Sequence, residues 1–242
     1  MKMRLWHILV FVVALAVFAV ARAPAVFLPQ RPGQLTYAGA TGTIWRGELQ
    51  TVQIGHYRTQ TASWRLSPLD LVQGKAIVPV IFGDGDIEGR MTLLANWDGD
   101  RRIAIQHMQL TGLTLRNMAL SGETRINGLD ILFEDGACVR AEGRVESDVL
   151  ARAGQTLGWP GPSIVGAASC DGENARILLS GANDRGERVN ARIVLQPNGA
   201  AAWRVSVQTE QPETIAALGA AGFMRGVADG LLGYGEETRW LP

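Results

Sequence analysis

The sequence is poor in the side chains that most often carry chemistry. Only three histidines and two cysteines occur in 242 residues. His7 lies inside an apolar run, His56 follows a glycine at a turn, and His107 belongs to an alternating segment. A general base needs a partner within hydrogen-bond reach in a cleft, and no spacing here sets one up. There is no G-x-S-x-G, H-E-x-x-H or P-loop spelling, so the familiar hydrolase, zinc-protease and nucleotide sites find no support. Neither cysteine has His, Cys or acidic neighbours at ligand spacing. Gly83-Asp84-Gly85-Asp86 lacks the further oxygen ligands of a calcium loop and reads as a hairpin turn. No catalytic residue, cofactor or metal is therefore expected. An excess of charge is missing too: 23 basic and 23 acidic side chains cancel. Without basic runs the chain offers no nucleic-acid surface. Low-complexity tracts are absent, and the apolar content is too high for disorder.

What the chain does contain begins at its amino end. Leu5 to Ala21 reads LWHILVFVVALAVFAVA, without a formal charge, between Lys2 and Arg4 on one side and Arg22 on the other. At ~1.5 Å per residue it covers roughly 25 Å, near the lower limit for crossing a bilayer core. A cleaved signal peptide has a shorter apolar core, and Ala21-Arg22-Ala23 followed by Pro24 is a poor cleavage site. A retained signal anchor over residues 5–21 is the expectation, with cleavage and a buried helix as alternatives. The flanking charges favour an inside amino terminus only weakly. Residues 1–28 then form a cytoplasmic tip, anchor and flank, and 29–242 an exported domain. In an oxidising compartment Cys138 and Cys170 most simply form one disulfide; two unpaired buried thiols are the alternative.

Beyond the collar Pro29-Gln30-Arg31-Pro32-Gly33, short alternating runs follow one another, each closed by Gly, Asn or Asp. Ala62, Trp64 and Leu66 share one face against Thr61, Ser63 and Arg65, which is the period of a half-buried strand. Ile87, Met91, Leu93, Ala95 and Trp97 form another such face, whereas Ala76 to Phe82 is apolar on both and predicts a doubly covered strand. Ser67 as cap, Pro68 at the first helical position and Gly74 at the exit predict one or two helical turns. Ser147-Asp148 opens a second short helix, and Pro212 starts a third running through Ile215, Leu218 and Phe223. Trp45, Trp64, Trp97 and Trp203 are expected to pack the sheet. More than ten strands with almost no crossover helices mean an all-β antiparallel fold: an extended, twisted sheet of consecutive hairpins, curled like an opened half-barrel. A two-sheet sandwich is the other arrangement considered.

Two blocks carry a resemblance. Gly42-Thr43-Ile44-Trp45-Arg46-Gly47, then Trp64-Arg65-Leu66-Ser67-Pro68-Leu69-Asp70-Leu71-Val72-Gln73-Gly74, stand behind the apolar run. The chain resembles the N protein of the type II (general) secretion pathway, whose family reads G-T-[LI]-W-x-G and then W-x-L-x-P-x-x-L-x-x-G. The resemblance assigns a structural or interaction role to Gly42, Thr43, Trp45, Gly47, Trp64, Leu66, Pro68, Leu69 and Gly74. It also implies a cysteine pair in the later half and a single-pass bacterial inner-membrane protein with a periplasmic domain. Its implied role is a non-enzymatic accessory in the export of folded proteins across the outer membrane, with other inner-membrane and periplasmic components of that system as partners. A sheet edge is the natural docking surface for such partners. The alternative function is a periplasmic lipid- or apolar-ligand-binding module, whose mark would be an inner stripe including Ile77, Ile81, Leu93 and Trp97.

Overall fold

The computed structural model describes residues 22–27, 35–115, 118–152, 159, 161–220, 222–225 and 231–239. The apolar run 5–21, the collar 29–33 and Trp240 lie outside the described residues. Among the described residues no helix is long and apolar enough to cross a membrane.

Among the described residues, alternation and turn residues produce a single antiparallel sheet of fourteen strands. In chain order they are β1 (Leu35–Gly42), β2 (Arg46–Ile54), β3 (Tyr57–Arg65), β4 (Lys75–Gly85), β5 (Ile87–Asn96), β6 (Arg101–Leu115) and β7 (Met118–Glu134). They continue with β8 (Ala137–Ser147), β9 (Ile164–Asp171), β10 (Asn174–Ala182), β11 (Arg188–Leu195), β12 (Ala200–Gln208), β13 (Met224–Arg225) and β14 (Leu231–Arg239). From β1 to β12 every strand pairs with its sequence neighbours; then β14 lies beside β12, and the two-residue β13 forms the outer edge. Among the described residues, helices interrupt this meander at α1 (Pro68–Val72), between β3 and β4, and at α2 (Pro212–Ala220), after β12. Residues 149–152 add a helical turn, where the Ser147 hydroxyl accepts from the Val149 N–H at 3.4 Å.

The register lines up one residue per strand into a belt across the whole sheet. Ala40, Leu49, Ala62, Phe82, Gly89, Met108, Ile126, Val145, Gly166, Leu179, Ala191, Val205 and Tyr234 face one another in successive pairs. Directly opposed residues share a face of the sheet, so this belt marks the inner side. Irregularities keep the long strands in phase with it. An extra residue at Gln106 lets Ile103, Ile105 and Met108 all point inward, which a strict period of two forbids. One contiguous core runs from Ile87 to Tyr234, with Ile131, Phe133, Val189 and Val207 almost fully enclosed, and a smaller one holds Tyr37, Leu49, Val52 and Ala62. The sheet is open but curled. The Arg101 guanidinium at the start of β6 donates to the Pro197 carbonyl in the turn between β11 and β12, five strands away.

The outer face mixes paired charges with exposed apolar side chains such as Ile81, Val165 and Leu178. Asp130 on β7 accepts two hydrogen bonds from Arg102 on β6, at 2.7 and 2.8 Å, and one ion pair from Arg140 on β8 at 2.8 Å. The double coverage expected for Ala76–Phe82 does not occur. Ile77 and Ile81 point to this outer side, opposite Leu94 and Arg90, and Ile81 is exposed. Continuous apolarity here reflects two half-buried faces. The sandwich is not formed either, since all fourteen strands belong to one sheet.

Candidate functional site

The two motif blocks come together at one end of the sheet. Thr43, Ile44 and Trp45 form the turn between β1 and β2, while β3 ends at Arg65 beside it. Gly42 adopts φ +87°, which lets the chain reverse there. Trp64 on β3 lies opposite Gly47, and its indole N–H donates to the Ile44 carbonyl at 3.0 Å. A Cβ on Gly47 would stand 2.6 Å from the Trp64 ring and 2.6 Å from the Thr41 carbonyl. The glycine is thus the space into which the tryptophan fits. The Leu66 N–H donates to the Trp45 carbonyl at 2.6 Å, so the second block is pinned to the first before α1 begins. The Thr43 hydroxyl accepts weakly from the Arg46 N–H at 3.4 Å.

Local rules then shape α1. Ser67 caps it, accepting from the Asp70 N–H at 3.3 Å, Pro68 opens the first turn, and Gly74 closes it at φ +80°. The motif's apolar helix position falls on Leu71, which is half-buried, whereas Leu69 and Val72 are 70% and 84% exposed. Gly74 sits under Trp97 of the β5–β6 turn: its carbonyl accepts from the Trp97 N–H at 3.0 Å, and the ring stands over its Cα. Trp97 is 79% exposed, contrary to the expectation that it packs the sheet. The strand ends at Asn96, so its alternation no longer dictates the side-chain direction. Trp64 and Trp203 do pack, the latter tilted against Tyr234 at 5.3 Å between ring centres.

The chain also emerges here. The Ala23 carbonyl accepts from the Ile44 N–H at 3.0 Å, and Pro24 bridges to Thr43. Residues 22–27 therefore start at this rim and run back along β1, where the Tyr37 hydroxyl reaches the Val26 carbonyl at 3.5 Å. The same end carries the Cys138–Cys170 disulfide, with 5.5 Å between Cα atoms. The β8–β9 ladder stops at Arg144 opposite Ala167, and the disulfide ties the strand ends beyond it.

The opposite end holds a polar centre that sequence reasoning missed. Glu187, before β11, is 2% exposed. Its Oε2 accepts from the Trp159 indole N–H at 2.8 Å and the Asn183 amide at 2.5 Å, and its Oε1 from the Thr209 hydroxyl at 2.6 Å. Burial by itself raises the carboxyl pKa. Hydrogen bonds from Thr209, Thr214, Asn183 and Trp159 more than offset that and leave it below the ordinary glutamate value. The carboxylate joins four separated segments: the Trp159 loop, the β10–β11 turn, the end of β12 and the start of α2. A lone Glu in a turn gives no sequence signal for this, because Trp159, Thr209 and Thr214 lie 22 to 28 residues away. Asn183, four residues before it, was the only local clue.

A shallow outer cleft of about 250 Å³ is lined by Glu123, Arg125, Arg144, Glu146 and Asp148 among others. Its charges are mutually paired: Arg125 with Glu123, Arg144 with Glu146, Arg152 with Asp148. Burial raises the Asp148 pKa, but the Arg152 hydrogen bond, the Glu123 N–H and two neighbouring guanidiniums pull it below the usual range. His107 meets Asn127 at 2.7 Å on the exposed face and His56 is an exposed turn residue, with no acid–base partner placed against either among the described residues. Among the described residues no group of three His, Cys, Asp or Glu could hold a metal ion. The apolar inner stripe is not formed as expected. Leu93 faces inward, Ile77 and Ile81 outward, and Trp97 belongs to the rim.

A sequence profile of the family described as type II secretion system (T2SS), protein N, matches residues 33–230, which include both motif blocks and both cysteines. Searches of curated proteins and of solved structures give no match.

Proposed function

The chain belongs to the type II secretion system protein N family, and from that premise we propose a non-enzymatic accessory role at the bacterial inner membrane. Residues 5–21 anchor the chain by a single pass, and residues 29–242 form a periplasmic domain that supports export of folded proteins across the outer membrane. It acts through contacts with other inner-membrane and periplasmic components of the system. The observation that carries this reading is the family match across nearly all of the β-domain. The open sheet supplies a physical means. β1 forms no second ladder among the described residues, although residues 22–27 lie along part of its outer side, and β13 pairs with Leu232 and Gly233 of β14. Free N–H and C=O groups along such edges can accept a partner strand.

The test is the extracellular proteome of a strain lacking this chain, with outer-membrane integrity checked in parallel. Selective retention of normally secreted proteins in the periplasm, restored by the intact gene, is the expected result. Unchanged secretion, in a strain holding no second chain of this family, overturns the proposal.

A further inference from the structure

The most exposed large apolar side chains of the domain are not scattered. Of the four greatest exposures among the described residues, those of Val72, Trp97 and Leu69 belong to the motif rim. Leu69 and Val72 are three apart on α1 and so share its outward side, and Trp97 adjoins Gly74 just beyond that helix. Patches of this kind mark a surface that is covered in use.

What covers this one follows from where the chain emerges. The Ala23 carbonyl is bonded to Ile44 in the rim turn, and only Arg22 separates Ala23 from the end of the apolar run at Ala21. Two residues reach at most about 7 Å. If residues 5–21 cross a bilayer, the Thr43–Trp45 turn is held against its surface, and α1 is joined to that turn through Leu66 and Trp45. A Trp, a Leu and a Val projecting from an element so close to the membrane are the residue types that settle among lipid headgroups. Exposed Arg46 and Arg65, opposite each other in the β2–β3 pair, and Lys75 at the start of β4 add positive charge on the same rim. Asp70, Asp98 and Asp100 offset them, so the contact is mainly apolar.

We infer that the motif rim, through Leu69, Val72 and Trp97, is a second membrane contact that seats the β-domain on the phospholipid interface and fixes its orientation relative to the anchor. The inference rests on the anchor reading above. The far end, with the Trp159–Glu187 centre, then points away from the membrane, and the sheet edges stand along the membrane normal.

The experiment uses the full chain in vesicles of phosphatidylethanolamine and phosphatidylglycerol, with no other protein present. Spin labels are attached to Val72→Cys and, as a control at the far end, to His56→Cys, both exposed positions. The ratio of accessibility to oxygen over a water-soluble nickel chelate reports lipid contact, and sodium carbonate extraction reports anchoring. Retention in the vesicles with a severalfold higher ratio at residue 72 than at 56 supports the inference. Retention with equal ratios overturns it and leaves the anchor standing. Release by carbonate overturns both. Quenching of tryptophan emission by brominated lipid, compared between the wild type and Trp97→Phe, is a second measurement that needs no introduced cysteine. Trp6 in the anchor is quenched in both proteins; a smaller quenched fraction in Trp97→Phe agrees with the inference, and no change counts against it.

Discussion

Replacing Glu187 separates the hydrogen-bonding and the charge of the buried centre. Alanine leaves the indole N–H of Trp159, the amide of Asn183 and the hydroxyl of Thr209 without their acceptor. The Thr209 hydroxyl can rotate, but the Trp159 N–H is enclosed and has nowhere to turn. An unsatisfied buried donor costs about 1–3 kcal/mol, and the one lost buried methylene, Cγ, adds about 0.8 kcal/mol. The relief of a desolvated charge opposes these terms, so Glu187→Ala should lose about 2–3 kcal/mol. Glutamine keeps one oxygen for Trp159 and Asn183 and turns its amide to Thr209. It exchanges charge-assisted bonds for neutral ones, at about 1–2 kcal/mol. The pH dependence has a definite sign. The folded-state pKa of Glu187 lies below its unfolded value, so the stabilisation is complete above the unfolded pKa and is lost as pH falls through the folded one. The gap between wild type and Glu187→Gln should therefore be widest near neutrality and close in acid. Denaturant unfolding of the full chain in mild detergent, followed by near-UV circular dichroism at a series of pH values, measures both. An alanine variant within about 0.5 kcal/mol of wild type at neutral pH, or a glutamine gap independent of pH, refutes the reasoning.

Gly47→Ala should destabilise by about 1–3 kcal/mol, since the new methyl meets the Trp64 ring and the Thr41 carbonyl together; thermal unfolding reads this directly. Gly219→Ala, inside α2 with open space around it, should instead stabilise by about 0.5–1 kcal/mol in the same assay. Cys138→Ser and Cys170→Ser should each cost about 3–4 kcal/mol, from the loop closed by a separation of 32 residues. The double variant should be no worse than either, and additive losses would count against the disulfide as the shared cause. Asp130→Asn, on the outer face, should cost under about 1 kcal/mol, with the difference shrinking as salt is added.

The sequence made the meander readable because each strand finds its partner next along the chain, so alternation and turn residues were sufficient. Trp64, Ser67, Pro68 and Gly74 were legible for the same reason: caps and a helix stop act over a few residues. Trp97 was misplaced because period-two reasoning was carried one residue past the end of β5, into a turn. Ala76–Phe82 misled because apolarity on both sides of a strand says nothing about whether a second layer exists. The Trp159–Glu187 centre was invisible, since its geometry depends on the curl of the sheet bringing a loop, a turn and a helix start to one point. The meeting of Gly47 with Trp64 lay between these cases. The spacing suggested that the blocks belong together, and only the β2–β3 register shows that one is the cavity for the other's ring.

The order of the strands also sets a timetable. With β1 to β12 each laid against its predecessor, the sheet can grow from the amino end as the chain is synthesised, adding one hairpin at a time without waiting for a distant segment. Short-range closures of this kind favour fast assembly. The cysteines fit the same schedule, since β8 and β9 are successive additions and their thiols meet once β9 has docked. Only the finish departs from it. β13 is made before β14 yet can pair only after β14 has settled on β12, so β12 stays an open growing edge until the last strand arrives. A chain truncated after β12 would keep that edge for good, and would be the version most prone to join another copy of itself.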